Sequence, residues 1–406
     1  AAAITYGTNE ESDQTVMVYD LGGGTFDITI IRIESGAITV IATGGNSELG
    51  GRNWDERIVT YFASEWMSQT GSSEHPLESS ETAQELFSRA EAAKIVLTGR
   101  SSTDVPIVHE GQKARVTLTR EKFDELTSDL LEQTISLTNI LIGEAQKRGI
   151  TKIDQLLMVG GSTLMPQVKQ RLIQEYGASR GLEPRVFEPS EAVAKGAAIY
   201  GYRLSIKKEI ITRVAEELGI NAEDVDLTQV AHTRPDVVEA AQQDAAVTFG
   251  LPVSEVQEVS KKRIVNVTSR SFGVIALDKS QGREVVSNLI RVNDPLPANV
   301  TQKFGTVVTN QPSAQVQIVD NFSSDPTYEP SKSRILRDKD LTLPPGLPEE
   351  SPIEITFQLN EQGRLRMTAR DLTSGREIED ELDIEGVMSK EEVEEAASRY
   401  KSISLS

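Results

Sequence analysis

The chain has 406 residues, a formal net charge of −20 and 38% hydrophobic residues, a globular composition that at about 100–200 residues per domain predicts two to four domains. A chain this acidic does not suit the phosphate backbone of nucleic acids, and no apolar run reaches the about 18 residues that predict a membrane-spanning helix. The absence of cysteine excludes disulfides and thiolate metal sites, and His75, His109 and His232 lack the spacing of a metal site or a Ser-His-Asp triad.

The first part of the chain, residues 1–203, alternates strand and helix patterns, which indicates an α/β domain. Amphipathic periodicity predicts long helices at 81–97 and 120–147 and a further helix after Gly160-Gly161. Apolar or alternating runs predict strands at 16–19, 26–33, 38–42 and 156–159.

Residues 204–263 differ in character and predict a helical connector or insertion. Ile210, Val214 and Leu218 fall on one helical face, and Gly219 is a stop signal. Two shorter helices are predicted at 237–247 and 253–259. The basic clusters of this segment, Lys207-Lys208 and Lys261-Lys262-Arg263, are short and typical of solvated surface.

Residues 264–386 have an all-β pattern. Alternation predicts strands at 353–359 and 365–369, with turns at 360–363 and at Ser374-Gly375. Several strands at this spacing indicate a β-sandwich. In 387–406, Ser389 is followed three residues later by Glu392, a capping pattern that predicts the start of a last helix.

The most informative motif is the segment Asp20-Leu-Gly-Gly-Gly-Thr-Phe-Asp27, a predicted hairpin with three glycines at its tip. Glycine lets backbone N–H groups approach an anion closely, and the Thr25 hydroxyl adds a donor. Asp20 and Asp27 supply carboxylates that can hold Mg²⁺ through water. No Gly-Lys-Ser/Thr sequence follows, which excludes a P-loop. The motif therefore predicts phosphate binding, with a simple glycine turn as the alternative.

Two weaker patterns accompany this hairpin. Gly160-Gly161-Ser162 lies between a strand and a helix, whose N-terminus offers free N–H groups. Glu91, Lys94 and Thr98 lie within about 60° of one helical face and can bond a ribose and a base edge. On spacing alone, the first pattern is more typical of a plain strand–helix turn and the second of a solvated helix face.

Combined in this order with further short motifs, these patterns resemble the seventy-kilodalton heat-shock (DnaK-like) chaperone family over roughly 1–203 and 264–400. The matching motifs of the first part are Asp20–Asp27, Leu49-Gly50-Gly51, Glu91–Lys94, Val159–Thr163 and Pro189–Val193. Those of the second part are Val267-Thr268, Phe272-Gly273 and Thr309-Asn310-Gln311.

The resemblance implies a multidomain protein with an α/β part and an all-β part. Residues 1–203 would be the second lobe of an actin-like (ribonuclease H-like) ATPase domain, and 264–386 a β-sandwich that binds peptides. Residues 204–263 would be a helical connector or insertion, and 387–406 the start of a truncated lid helix. The implied cofactors are ATP or ADP with Mg²⁺.

The resemblance also implies roles for single residues. The implied catalytic residues are Thr25, Asp20 and Asp27, and the two aspartates would hold Mg²⁺ through water. The implied nucleotide-binding residues are Gly22, Gly23, Gly24, Thr25, Gly51, Glu91, Lys94, Thr98, Gly160, Gly161 and Ser162. The first four would bind the β- and γ-phosphates, and the others would lie beside the nucleotide or line the adenosine pocket.

In the β part, Val274, Leu277, Val307 and Val316 would line a groove for an extended apolar peptide. Alternation alone fits four core residues equally well. The implied partners are unfolded or extended apolar polypeptides, co-chaperones and a nucleotide-exchange factor, in the cytoplasm, with no nucleic acid and no membrane.

The sequence also departs from the family pattern. Leu164 stands where an arginine commonly stacks on adenine, and Ser190 where an aspartate is usual. The family's other phosphate hairpin and the lobe with its catalytic lysine are absent, which predicts a fragment that does not hydrolyse ATP alone. An actin-like-superfamily kinase shares the glycine hairpin, but the β part argues against it. An ATP-independent peptide holdase is the alternative for the isolated chain.

Overall fold

The computed structural model describes residues 1–8, 12–34, 37–222, 225–261, 264–361 and 363–383. The helix predicted within 387–406 therefore lies outside the described residues. The chain divides into two compact units, residues 1–264 and 265–406, and each has apolar cores of its own.

The first unit contains a six-stranded sheet. Its strands are β1 (Gln14–Leu21), β2 (Phe26–Glu34), β3 (Ala37–Asn46), β6 (Gln155–Val159), β7 (Pro184–Val186) and β8 (Ile264–Val265). They lie in the order β7-β6-β1-β2-β3-β8. The β1–β2 and β2–β3 pairs are antiparallel, whereas β1–β6 and β6–β7 are parallel.

Both faces of this sheet are buried. Met17 and Tyr19 of β1 belong to one apolar cluster, and the intervening Val16 and Val18 belong to another. Burial on both faces accounts for the continuous apolar run that predicted this strand. The helices of the α/β part are α1 (Ala2–Thr8), α2 (Gly51–Thr70), α3 (Ser80–Gly99), α4 (Arg120–Lys147), α5 (Pro166–Leu172) and α6 (Ala178–Arg180).

The predicted elements of this part are confirmed, but several elements, among them α1, α6 and β7, were not foreseen. Helix α4 has the predicted bounds, and its N-terminus is capped by the Thr119 hydroxyl, which accepts a hydrogen bond from the Lys122 N–H at 3.1 Å. Helix α2 and the hairpin of β4 (Ser102–His109) and β5 (Gln112–Thr119) had no prediction. After Gly160, a 3-10 turn at Gly161–Leu164 comes before α5.

A helical module completes the first unit. It consists of α7 (Ala192–Leu218), α8 (Leu227–Thr233), α9 (Pro235–Phe249) and α10 (Val253–Lys261). The predicted face of Ile210 and Val214 packs with Val237 and Val256, and Gly219 ends α7 in the left-handed conformation. Because α7 continues through position 204, no element begins there. The assignment of 204–263 as a connector or insertion stays a prediction.

The second unit contains two antiparallel sheets that share one apolar cluster. The strands are β9 (Ser271–Asp278), β10 (Arg283–Ile290), β11 (Ala298–Gly305), β12 (Ser313–Asn321), β13 (Thr327–Tyr328), β14 (Arg334–Thr342), β15 (Pro352–Leu359), β16 (Arg364–Asp371) and β17 (Glu377–Asp383). The strand orders of the two sheets are β13-β10-β9-β12-β14 and β11-β15-β16-β17. The mixed α/β class with several antiparallel sheets is as predicted. The turn predicted at 360–363 follows β15, although Gln362 lies outside the described residues.

Candidate functional site

The glycine-rich hairpin forms as predicted and presents an open tip. The Gly22 N–H donates to the Thr25 carbonyl at 2.9 Å, and the Thr25 hydroxyl donates to Asp27 Oδ2 at 3.1 Å. A Cβ built on Gly23 or Gly24 would meet nothing within 4 Å. Within the described part of the chain, the N–H groups of these two glycines have no acceptor. The tip therefore leaves both space and backbone donors for an anion.

The carbonyl side of the hairpin is held by neighbouring turns. The Gly22 carbonyl accepts hydrogen bonds from the Gly51 N–H and from the Ser162 hydroxyl, both at 2.9 Å. The Arg52 N–H donates to the Gly23 carbonyl at 2.8 Å. A Cβ on Gly50 would lie 2.5 Å from the Gly24 carbonyl carbon. These contacts occupy the carbonyl groups of Gly22 and Gly23 and, among the described residues, leave the N–H groups of Gly23 and Gly24 without an acceptor.

Two carboxylates flank the tip. Asp20 and Asp27 are directly opposite each other in the register of β1 and β2. Burial raises the pKa of the Asp20 carboxyl, and the negative charge of Asp27 raises it further. A cation between the two would offset this repulsion, and hard oxygen ligands of this kind suit Mg²⁺.

A cleft of about 420 Å³ lies between α2 and α3 beside the hairpin. Lys94 donates to Asp55 Oδ2 at 2.8 Å and to the Gly51 carbonyl at 3.1 Å, and both side chains of this ion pair are 12% exposed. Burial raises the pKa of Asp55, and the Lys94 hydrogen bond opposes that shift. The buried Asp55 Oδ1 has no hydrogen-bond partner among the described residues. The cleft is lined by Gly23, Arg52, Asp55, Gln84, Phe87, Ser88, Glu91 and Lys94.

Only some of the other predicted nucleotide-site residues line this cleft. Glu91 and Lys94 line it together, whereas the Thr98 hydroxyl donates to the Ile95 carbonyl at 2.7 Å and does not line it. Gly160 packs beside the hairpin with a φ of 85°, and a Cβ there would lie 2.2 Å from the Leu21 carbonyl oxygen. Gly161 is open, and the buried Ser162 reaches Gly22.

Asp55 and Gly50 are two residues of this site to which the sequence analysis assigned no role, and the cleft-lining residues Arg52, Gln84, Phe87 and Ser88 had none either. The signal for Asp55 and Gly50 was the motif Leu49-Gly50-Gly51 with a carboxylate four residues further on. The pairing of Asp55 with Lys94 joins positions 39 residues apart and is visible only in the fold.

A second cleft, of about 740 Å³, lies entirely within the β unit, and the four predicted peptide-site residues all line it. Val274 and Val316 are 2% and 3% exposed and belong to the core cluster, so they form its floor. Leu277 and Val307 are 40% and 41% exposed and lie at its edge. Each of the two interpretations therefore holds for two residues. Val274 and Val316 are core residues, whereas Leu277 and Val307 are exposed apolar side chains at the cleft.

Polar groups surround this apolar centre. Gln311, Gln315 and Gln317 are among the lining residues, and the Gln311 Oε1 accepts a hydrogen bond from the Val307 N–H at 2.8 Å. Among the described lining residues, Asp278, Glu284 and Glu350 are acidic and Lys279 is basic. Lys279 is itself paired with Glu350 at 3.0 Å. The edge of the cleft is therefore negatively charged.

Comparison of the sequence with known proteins identifies the family of this chain. The sequence model of the Hsp70 protein family matches residues 1–243 and 232–404. The chain is 32% identical over 407 aligned residues to the chaperone protein DnaK of Halobacterium salinarum. The chain belongs to the Hsp70 family, which confirms the resemblance carried by the motifs.

The aligned region covers 97% of this chain and 53% of the Halobacterium DnaK. The chain thus spans about half the length of the curated relative it matches. Across the described segments, no helix is both long and apolar enough to cross a lipid bilayer.

Proposed function

We propose that this chain belongs to an ATP-dependent molecular chaperone and that it binds extended apolar segments of unfolded polypeptides. In this proposal 1–203 is the second lobe of an actin-like ATPase domain, 204–263 is a helical connector or insertion, and 264–386 is a peptide-binding β-sandwich. Co-chaperones and a nucleotide-exchange factor would be partners of the complete protein, in the cytoplasm. The observation that carries the proposal is the cleft of the β unit, with a buried apolar floor and exposed apolar side chains at its edge.

The peptide would bind by two kinds of contact. Its main chain would hydrogen bond with the polar lining, which gives affinity with little sequence preference. One apolar side chain would enter between Leu277 and Val307 and contact the floor at Val316, and its burial is worth roughly 1.5–3 kcal/mol. The acidic edge formed by Asp278, Glu284 and Glu350 would favour peptides with basic flanking residues.

The residues of the first unit fit a nucleotide with Mg²⁺. The fit rests on the open space and free N–H groups at Gly23 and Gly24 and on the opposed carboxylates of Asp20 and Asp27. ATP supplies a phosphoanhydride bond whose hydrolysis can drive a change of state. Gly22, Gly23, Gly24 and Thr25 would bind its phosphates, and Asp20 and Asp27 would hold the hydrated Mg²⁺.

The ribose and base would lie in the cleft between α2 and α3. Lys94 is held by Asp55 in an orientation that presents it beside Glu91 at the cleft. Gly51, Gly160, Gly161 and Ser162 would border the nucleotide. Thr98 would need its hydroxyl to leave the Ile95 carbonyl before it could contribute. Thr25, Asp20 and Asp27 are the proposed catalytic residues.

The test of the proposal is fluorescence anisotropy with labelled heptapeptides on the 406-residue chain. A leucine-centred apolar peptide is expected to bind with micromolar affinity, and basic flanking residues are expected to strengthen binding. Replacing the central leucine by aspartate should abolish binding, because a charged group cannot enter the apolar pocket without a large desolvation cost. Equal binding of the leucine and aspartate peptides would refute the proposal.

Family membership does not favour the actin-like kinase alternative. Peptide binding that persists without nucleotide would instead be the behaviour of a holdase. That outcome is expected for the isolated chain, which spans about half of its DnaK relative.

A further inference from the structure

The structure brings together three potential metal ligands that the sequence analysis did not connect. Glu74, His109 and Glu110 each offer a donor atom, and these three atoms lie within 4.8 Å of one another. Glu74 follows α2, His109 ends β4, and Glu110 begins the turn between β4 and β5. We propose that they form a binding site for a divalent transition-metal ion of the Zn²⁺ type.

His109 is oriented as a metal-binding histidine would be. Its side chain is buried, with 6% exposure, and Nδ1 lies 3.0 Å from the Thr82 hydroxyl oxygen. The Trp66 ring packs against the imidazole edge-to-face, with the ring centroids 5.2 Å apart. Among the described residues, no hydrogen bond occupies Nε2. When Nδ1 donates its proton to Thr82, the Nε2 lone pair is left for a metal, as in other sites where an outer partner fixes the ring.

The two glutamates can close on an ion that binds this nitrogen. Both are exposed, so their carboxylates are able to change rotamer without disturbing the core. The Glu74 backbone is fixed by a hydrogen bond from its N–H to the Ser72 hydroxyl at 3.1 Å. Ligands of a tetrahedral ion with bonds of about 2.0 Å are about 3.3 Å apart, so donor atoms that lie within 4.8 Å need to approach by no more than about 1.5 Å.

The chemistry of the donors selects the class of ion. One imidazole nitrogen and two carboxylates suit Zn²⁺ and its neighbours, whereas Mg²⁺ and Ca²⁺ prefer ligand sets made entirely of oxygen. Water would complete the coordination. None of the three residues lines the cleft between α2 and α3. A bound ion would tie the turn after α2 to the tip of the β4–β5 hairpin.

The test is titration calorimetry of the metal-free 406-residue chain with ZnCl₂ in the presence of excess Mg²⁺. We expect one ion per chain with micromolar affinity. The double variant Glu74→Gln, Glu110→Gln should weaken binding at least tenfold. The matched control Glu78→Gln, Glu81→Gln changes two exposed glutamates nearby and should leave the affinity unchanged. The glutamate variants are isosteric and lie at the surface, and circular dichroism verifies that they remain folded.

A second measurement uses Trp66. Binding of the paramagnetic ion Co²⁺ beside the His109 ring should quench tryptophan fluorescence in the wild type and in the control, but not in the Glu74→Gln, Glu110→Gln variant. Absence of saturable Zn²⁺ binding overturns the proposal. Saturable binding that the double variant retains at full strength overturns it as well.

Discussion

Two glycines of the proposed nucleotide site, Gly160 and Gly23, differ in backbone conformation and in the space around them. Gly160 has a φ of 85°, and a Cβ there would lie 2.2 Å from a backbone carbonyl oxygen, whereas a Cβ at Gly23 would meet nothing within 4 Å. Gly160 is therefore needed for folding. Gly23 is needed only if a ligand approaches the hairpin tip. Substitutions at Gly160 and Gly23 can therefore separate an effect on folding from an effect on ligand binding.

We expect Gly160→Ala to lower the free energy of unfolding by about 2 kcal/mol or more, because strain and a backbone clash add. Gly23→Val should melt within about 2 °C of the wild type, a change of less than about 1 kcal/mol. Millimolar MgATP should raise the melting temperature of the wild type and not that of Gly23→Val, because the valine side chain occupies the phosphate position. Thermal melts with and without MgATP check this, and equal stabilisation of both proteins would contradict the phosphate assignment.

The Asp20 carboxyl gives a pH-dependent prediction. Its pKa in the folded protein is raised by burial and by Asp27, above an unfolded value of about 3.9. Between these two pKa values the folded state binds more protons, so the free energy of unfolding falls as pH rises. The Asp20→Asn variant has no carboxyl at this position, so its free energy of unfolding does not fall with pH for this reason. Urea unfolding should therefore show the variant gaining stability relative to the wild type from about pH 4 toward neutral. A difference that does not change with pH would be the contrary result.

The hairpin motif shows how much a local pattern can predict. The residue types of Asp20–Asp27 predicted a glycine hairpin, and the hairpin forms, whereas the phosphate-binding roles of Gly22, Gly23, Gly24 and Thr25 came from the family resemblance and stay a prediction. The Asp55–Lys94 pair depends on the packing of α2 against α3, which brings together positions 39 residues apart. The cluster of His109 with Glu74 likewise arises from tertiary structure and has no counterpart in histidine spacing.

Secondary-structure elements were predictable where their ends carry signals. Helix α4 begins after a threonine cap and has a strong periodic face, and it was predicted with its observed bounds. Helix α2 begins at Gly51 after Gly50, two residues that disfavour helix, and Gly50 has no side chain to cap it, although its N–H donates to Asn53 Oδ1 at 2.8 Å. Its buried face, with Trp54, Phe62 and Trp66, packs on the core without any start signal in the sequence.

The strands around the proposed peptide cleft contribute buried residues to its floor and exposed residues to its edge. Substitutions at the floor should change stability, and substitutions at the edge should change peptide binding. Val316→Ala is expected to lower the free energy of unfolding by about 2 kcal/mol, because two buried methyl groups are lost and a cavity is left. Leu277→Ala should change it by no more than about 0.5 kcal/mol and weaken peptide binding about tenfold.

Urea unfolding and peptide anisotropy measured on the same samples check this division. A Leu277→Ala variant that loses stability and keeps peptide affinity would assign this residue to the core instead.

At the scale of the whole molecule, the two units have separate cores, so a core substitution is expected to destabilise only the unit that contains it. Phe62 is fully buried in a core of the first unit and Phe357 in that of the second. We expect each phenylalanine-to-alanine change to cost its own unit about 3–5 kcal/mol. Calorimetric scans should then show two transitions, one of which moves to a lower temperature in each variant. The transition that moves should not be the same one in the two variants. A single transition that shifts equally in both variants would show that the units unfold as one.

Peptide binding at the cleft of the β unit is the central claim, and two adjacent valines test it most directly. Val307 lines the cleft and is 41% exposed, whereas Val308 is 55% exposed and does not line it. Fluorescence anisotropy with a leucine-centred apolar heptapeptide would compare Val307→Asp, Val308→Asp and the wild type. The account predicts loss of binding in Val307→Asp and wild-type affinity in Val308→Asp. Equal affinity of the two variants would contradict it.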